Sequence, residues 1–381
     1  MRILFAINKS YLPEAYGGTE LSTHDLCLLL SRRGHEVAVA AMLGNRSLFS
    51  LKRRVVRKIK RAAFSVDTVM QYPVFRSWDI PATLPDLVHS FRPDVAIVQG
   101  IGHPMAIARA LLKLQIPTAV YLRVINFMDH GQPFEQMPGM AYIANSNFTA
   151  RRFREQLGMS ATVIPPIVVP DHYRTPSART HVLFVNPRPV KGSALACDLA
   201  RRLPHIPFLF VESWPIPRGE RTETRRSLGG AKNVTWLKPV RDMRAIYGKT
   251  RLVIIPSEWE EAWGRIATEA GFSAIPAIAR AVGGLPESVG SGGLLIPPEA
   301  SVDDWAQTVK RLYAEPEYYS RLVAASAEFS QRPESSPTRL AQQLEQTLHG
   351  LIHAAPWAQD VMSELALVNT GCLEHVRSRA P

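Results

Sequence analysis

Cysteine is scarce in this chain of 381 residues. Cys27, Cys197 and Cys372 are spaced for neither a disulfide framework nor a thiolate metal site. They are expected as small buried hydrophobes in a reducing, cytoplasmic setting. No apolar run approaches the roughly 20 residues that cross a bilayer. The opening MRILFAIN has too short an apolar core for a signal peptide and reads as a first strand. No G-x-G-x-x-G follows that strand, which disfavours a nicotinamide or flavin enzyme.

Other apparent motifs are incomplete. Gly248-Lys249-Thr250 mimics the end of a phosphate loop, but Met243 stands where its first glycine belongs and a strand follows instead of a helix. His35-Glu36 lacks the second histidine of a zinc helix. Gly271-Phe272-Ser273 has Ile275 where a nucleophile elbow needs its last glycine.

What the chain has is positive charge and a strict alternation of strand and helix patterns. With 45 Lys and Arg against 33 Asp and Glu the net charge is +12, a field that favours anionic partners. Much of it is local: Lys52, Arg53, Arg54, Arg57, Lys58, Lys60 and Arg61 are interleaved with Val55, Val56 and Ile59. On a helix this stretch suits peripheral contact with an anionic membrane at its inner face, or a solvated helix with its valines packed inward. Nucleic acid is disfavoured, because no aromatic interleaving accompanies the charge.

Arg2 to Ile7 reads as a buried strand, followed by the loop Gly17-Gly18, a helix from Thr19-Glu20 to Arg33, and a strand from Glu36 to Ala41. That is the unit of a doubly wound parallel sheet. Further strands are expected at Val69–Val74, Asp94–Val98, Pro117–Leu122, Tyr142–Asn145 and Thr162–Ile164, with Ser146 capping the helix after Tyr142–Asn145. Pro165, Pro166 and Pro170 close this set. A second set begins at His181, with strands at Val182–Val185, Phe208–Val211, Val234–Trp236, Leu252–Ile255 and Ile275–Ala279, and the Pro, Gly and Arg-rich Trp214–Lys232 as a loop. The fold class is α/β: two Rossmann-like domains facing a central cleft, expected at 1–174 and at 175–381, the latter carrying the C-terminal helices.

The most informative stretch runs from Pro256 to Glu287. Glu258, Glu260 and Glu261 follow a strand end, and Glu269 lies eight positions past Glu261 on an expected helix that starts near Gly264. Helical rise separates such carboxylates by roughly 12 Å, too far for the roughly 5 to 9.5 Å of a glycosidase acid/base pair. The spacing suits a ligand with hydroxyls at both ends and an anion between them, held by the N–H groups of Gly264, Arg265 and Ile266. A nucleotide sugar has that shape.

Pro256-Ser257, Glu261, Trp263-Gly264, Glu269 and Gly283-Gly284-Leu285-Pro286-Glu287 together resemble the signature of family 4 of the retaining glycosyltransferases, which have the GT-B fold. Trp263 stands where that family usually has Phe. The resemblance spans nearly the whole chain and is strongest from Val182 to Ile296. It implies sugar transfer from a nucleoside-diphosphate donor to an acceptor hydroxyl with retention, in carbohydrate biosynthesis.

In that reading Lys191 and Arg188, in the first strand-to-helix turn of the second domain, neutralise the departing nucleotide. Arg188 is only three residues before the lysine, closer than in many members. Glu261 holds the sugar and Glu269 the ribose, with Gly283-Gly284 on the same donor side. Gly17 and Gly18 cover the diphosphate from the first domain. Arg123 stands about where many relatives carry a histidine, and it or His103 would meet the sugar, a phosphate or the acceptor. No Asp-x-Asp occurs, so neither metal nor cofactor is expected. The acceptor is left open among lipid, polysaccharide and small metabolite. Rival readings are a nucleotide-sugar epimerase of the same shape and a non-catalytic partner protein.

Overall fold

The computed structural model describes residues 1–44, 47–100, 102–129, 132–213 and 215–357. Cys372, and Trp214 at the start of the expected loop Trp214–Lys232, lie outside the described residues.

The first sheet draws on β1 (Arg2–Ser10), β2 (Glu36–Met42), β3 (Ser65–Asp67), β4 (Val74–Ser77), β5 (Val95–Gln99) and β6 (Thr118–Leu122). After a two-stranded hairpin, β7 (Met128–Asp129) and β8 (Gln132–Pro133), come β9 (Met140–Ala144) and β10 (Thr162–Val163). Its order is β10-β9-β6-β5-β1-β2-β4-β3, parallel except for β3. The helices of this half are α1 (Gly18–Arg32), α2 (Leu48–Ile59), α3 (Ile80–Phe91), α4 (Pro104–Lys113) and α5 (Asn147–Leu157).

The second sheet runs β13-β12-β11-β14-β15-β16 and is wholly parallel. Its strands are β11 (His181–Val185), β12 (Phe208–Val211), β13 (Val234–Leu237), β14 (Thr250–Ile255), β15 (Ala277–Arg280) and β16 (Gly293–Ile296). Between them lie α6 (Ser193–Arg202), α7 (Arg218–Ser227), α8 (Arg244–Tyr247), α9 (Arg265–Gly271) and α10 (Leu285–Val289). Three long helices follow: α11 (Val302–Ala314), α12 (Pro316–Ser330) and α13 (Pro337–Ala354).

Side-chain alternation explains why both sheets are covered on both faces. Ile3, Phe5 and Ile7 of β1 enter one core cluster and Leu4 and Ala6 the other. Val182 and Phe184 of β11 face α6 and α11, whereas Leu183 packs on the opposite side with Val253 and Ala270. Helix starts follow local chemistry. Ser146 caps α5 as expected, its hydroxyl accepting from the Thr149 N–H at 2.9 Å, and Asp79 accepts from Ala82 N at the start of α3.

Three expectations are corrected. The strand read at Val69–Val74 begins only at Val74, because Gln71 takes φ +70° in a turn closed by its own N–H to the Thr68 carbonyl. The loop read at Trp214–Lys232 contains α7, held by tertiary contacts that override its polar sequence: Glu220 pairs with Arg188, Arg221 with Glu212, and Thr224 is buried. The last helix, expected with the second domain, instead lays Leu340, Leu344, Leu348 and Leu351 on the first sheet beside Leu26 and Leu30 of α1. Its period-3.6 apolar stripe needs a partner face, and Arg33 fixes the register with a two-pronged bond to Glu345 at 2.6 and 2.7 Å.

That docking gives a test. Leu344 is fully buried, so Leu344→Ala is expected to cost about 2–5 kcal/mol, read as a lower urea midpoint with unchanged slope; a surface-like loss of a few tenths would show that α13 is not held this way.

Candidate active site in the cleft between the sheets

Open parallel sheets bind ligands beyond the carboxyl ends of their strands, where neighbouring connections leave in opposite directions. In the second sheet that point lies between β11 and β14, and in the first between β1 and β5. The loops leaving these strands carry most of the residues singled out from sequence: Arg188 and Lys191 after β11, Glu261 and Gly264 after β14, Gly17 and Gly18 after β1, and His103 after β5.

Lys191 ends a short 3-10 turn, and its Nζ donates to Glu261 Oε1 at 2.5 Å. Ser257 Oγ donates to the same oxygen at 2.7 Å, and the Trp259 ring lies 4.7 Å from the ammonium. The close approach depends on Gly192 (φ +79°), since a Cβ there would overlap the Pro256 carbonyl oxygen. The Glu258 N–H bonds the Val190 carbonyl at 3.1 Å and ties the two loops together. Gly283 and Gly284 act in the same way: a Cβ on either would strike the backbone of 260–263, and Gly284 N donates to Glu261 O at 2.6 Å. These two glycines set the path of the carboxylate loop.

Arg188 does not stand open beside Lys191. Its Nε and Nη2 form a fork on the Glu220 carboxylate at 2.7 and 2.8 Å. The Glu220 hydrogen bonds hold the guanidinium pKa above its ordinary value, and Arg188 holds that of Glu220 below. No motif in the sequence marks Glu220, because the polar segment that folds as α7 carries the composition of a loop.

Glu269 occupies a closed site. Only it lies on α9; Glu261 sits in the loop ahead of the helix, so the helical-rise estimate of their separation does not apply. Glu269 Oε1 accepts from Arg265 Nε at 2.6 Å and Oε2 from Tyr247 Oη at 2.9 Å, and the residue is 4% exposed. Burial raises its pKa, opposed by Arg265 and Tyr247. As the structure stands, both oxygens expected on the ribose are taken.

Arg265, expected only as a backbone donor, bridges the halves of the molecule with its side chain. Nη1 donates to Ser22 Oγ at 2.5 Å, and Nη2 to Asp25 Oδ2 at 3.1 Å and Tyr173 Oη at 2.7 Å. Burial opposes its charge, but Tyr173, Glu269 and Asp25 outweigh burial and raise its pKa. Burial would also raise the Asp25 carboxyl, and the His172 hydrogen bond and the Arg265 charge bring it below the usual range. A Cβ on Gly18 would lie 3.9 Å from the Arg265 side chain, so the first glycine loop does face α9.

Further bridges line the same seam. Glu287 accepts from the Asn147 and Phe148 N–H groups at 2.8 and 2.6 Å, closing the first turn of α5 from the opposite half. Arg152 pairs with Glu260 at 3.4 Å.

On the first-sheet wall Arg123 is buried, stacked 4.1 Å from the Tyr121 ring. Its Nε has no hydrogen-bond partner among the described residues, and it lines a cavity of about 70 Å³ with Gly100, Gly102, Asn126 and Phe134. Burial lowers its pKa, and the nearby Arg265 charge adds to the fall. His103 ends the β5 loop as the N-cap of α4 at φ +59°, without a side-chain capping bond. Lys9 pairs with the buried Glu20 behind the glycine loop. Among the described residues no group of three or more His, Cys, Asp or Glu side chains could hold a metal ion.

Two parallel-sheet domains meeting at a cleft define the GT-B architecture. Anabaena HepE, solved in complex with UDP-glucose, superposes with a TM-score of 0.71 over 92% of this chain and 100% of its own, at 19% identity. Sucrose-phosphate synthase from Thermosynechococcus elongatus gives 0.70 over 93% and 100%, at 17% identity. The family described as Glycosyltransferase Family 4 matches residues 16–172, and Glycosyl transferases group 1 matches 194–329. The chain belongs to these group 1, family 4 glycosyltransferases. Similar curated proteins include the D-inositol 3-phosphate glycosyltransferase of Rhodococcus opacus (strain B4), 38% identical over 117 residues, which is 30% of this chain and 25% of that one. The protein of the same name from Corynebacterium aurimucosum is 40% identical over 91 residues, 23% and 21% of the two chains. The matched stretch spans about a quarter of either relative's length.

The bridging role of Arg265 is testable. Arg265→Ala leaves Asp25 and Glu269 buried without their counter-ion, with an expected loss of about 3–5 kcal/mol in urea unfolding; a loss below about 1 kcal/mol, the level of a surface pair, would contradict it.

Proposed function

We propose that this protein transfers a sugar from a nucleoside-diphosphate donor to an acceptor hydroxyl with retention and without a metal ion. The observation that carries the reading is the Lys191–Glu261 pair, with Ser257 on the same carboxylate, at the point where the second sheet reverses its strand order. A diphosphate entering there competes for the ammonium and releases Glu261 to accept hydrogen bonds from sugar hydroxyls. Arg188 is oriented by Glu220 through Nε and Nη2, which leaves its Nη1 for a phosphate oxygen. A ribose at Glu269 requires the Arg265 and Tyr247 bonds to rearrange, so this assignment implies a change at the seam on donor binding.

The bond from the anomeric carbon to the diphosphate breaks while the acceptor oxygen bonds to that carbon from the same face. The acceptor proton passes to the departing phosphate oxygen. The protein needs no nucleophile of its own; Lys191 and Arg188 hold the charge that grows on the leaving group. The orphaned Nε of Arg123, beside a cavity in the opposite wall, supports an acceptor bearing an anionic group. The relatives named for inositol 3-phosphate fit that chemistry.

Lys191→Ala is expected to lower kcat about 10²–10³-fold with a smaller change in donor KM; a purely KM effect would remove the leaving-group role. The wild-type rate should be unchanged by EDTA. With an anionic acceptor, Arg123→Met should raise the acceptor KM about 10–100-fold, the worth of a hydrogen bond to charge, while the donor KM stays fixed.

A further inference from the structure

Helix α2 is built inside out. At 100° per residue, Leu48, Leu51, Val55 and Ile59 fall within an arc of roughly 80°. In an ordinary surface helix that stripe faces the core. Here Leu48 is 86% exposed and Ile59 76%, with Leu51 and Val55 about half exposed. Ser50 is buried and Arg53, Arg54 and Arg57 are half-buried on the inner side. Arg53 reaches the Val66 carbonyl at 3.1 Å and lies over the Phe49 ring, while Arg54 lies over Trp78. The valine-inward reading of this segment is therefore set aside for Val55.

The orientation is fixed by design of the segment. Ser47 and Ser50 form a reciprocal capping box, and the Ser47 hydroxyl also bonds Glu14. Glu14 belongs to the loop after β1 that carries Gly17 and Gly18, so α2 starts beside the mouth of the cleft. Lys52 and Lys58 flank the apolar stripe on its two sides, and Lys60 and Arg61 follow, all exposed. Trp78, 41% exposed, lies beside Arg54 on the inner side of the helix.

We propose that α2 is a docking helix for an anionic lipid bilayer. Leu48, Leu51, Val55 and Ile59 enter the boundary between headgroups and acyl chains, and Lys52, Lys58, Lys60 and Arg61 meet the headgroup charge. A second copy of this chain is the poorer occupant: it would bring a helix of the same positive sign against this one, on molecules that each carry +12. A bilayer supplies both the apolar depth and the opposite charge. The inference rests on α2 alone and stands whether or not the cleft transfers a sugar.

The experiment is co-sedimentation of the full chain with vesicles of equal parts phosphatidylglycerol and phosphatidylcholine, and with phosphatidylcholine alone. Binding is expected to the anionic vesicles, weakened by salt and absent or far weaker on the neutral ones. The double variant Leu51→Asp with Val55→Asp alters only exposed positions, so its thermal midpoint should match the wild type. Its partition to anionic vesicles should fall about tenfold or more. Lys52→Glu with Lys58→Glu should erase the preference for anionic lipid. The proposal is overturned if the wild type does not bind, or if the stripe variant binds as well as the wild type. A wild-type dimer in light scattering that the stripe variant converts to monomer would overturn it too, by assigning the face to a second copy.

Discussion

A guanidinium buried between two sheets is costly to desolvate, and Arg265 is tolerated only because every side of it is met by a fixed partner. Glu269 and Tyr173 come from the second half and the segment leading into it, Ser22 and Asp25 from α1 of the first. The side chain therefore holds the glycine loop after β1 against the start of α9. Because Asp25 also binds His172 at the crossing between the sheets, the same cluster spans linker, first sheet and second sheet.

The seam also separates two carboxylates that the sequence presents as a pair. Glu261 sits in the loop three residues ahead of the N-cap Gly264, matched to Lys191. Glu269 sits on the closed side, matched to Arg265 and Tyr247. Each acid has a basic partner already in place. In the proposed donor reading a bound ligand replaces an internal ion pair at each position, an exchange that would tie ligand arrival to the contacts between the halves.

The inverted helix α2 belongs to the same wall of the molecule, through Ser47 and Glu14. Arg53, Arg54 and Arg57 line the inner face, with the Arg53 and Arg54 guanidinium groups over the Phe49 and Trp78 rings, while Leu48, Leu51, Val55 and Ile59 face outward. Hydrophobic periodicity identifies such a helix readily, but it carries no sign: the same pattern describes a stripe turned inward or outward. Only the packing around Ser50, Arg53 and Arg57 tells them apart.

Much of the architecture was legible because it rests on local pattern. Continuous apolar strands, Gly34 after α1 and the cap at Ser146 depend on neighbours a few residues away, so the α/β alternation, the two sheets and the loops bearing Lys191 and Glu261 could be read directly. Three kinds of feature could not. The helix α7 is polar along its length and exists through ion pairs to Arg188 and Glu212; α13 has a stripe that fits either sheet; and the partners of Glu269 lie on α8 and α9, with Arg265 reaching on to α1. Backbone propensity and motif spacing are properties of short segments, whereas the partner of a buried charge is chosen by which segments the folded chain brings into contact, and that choice is made only in three dimensions.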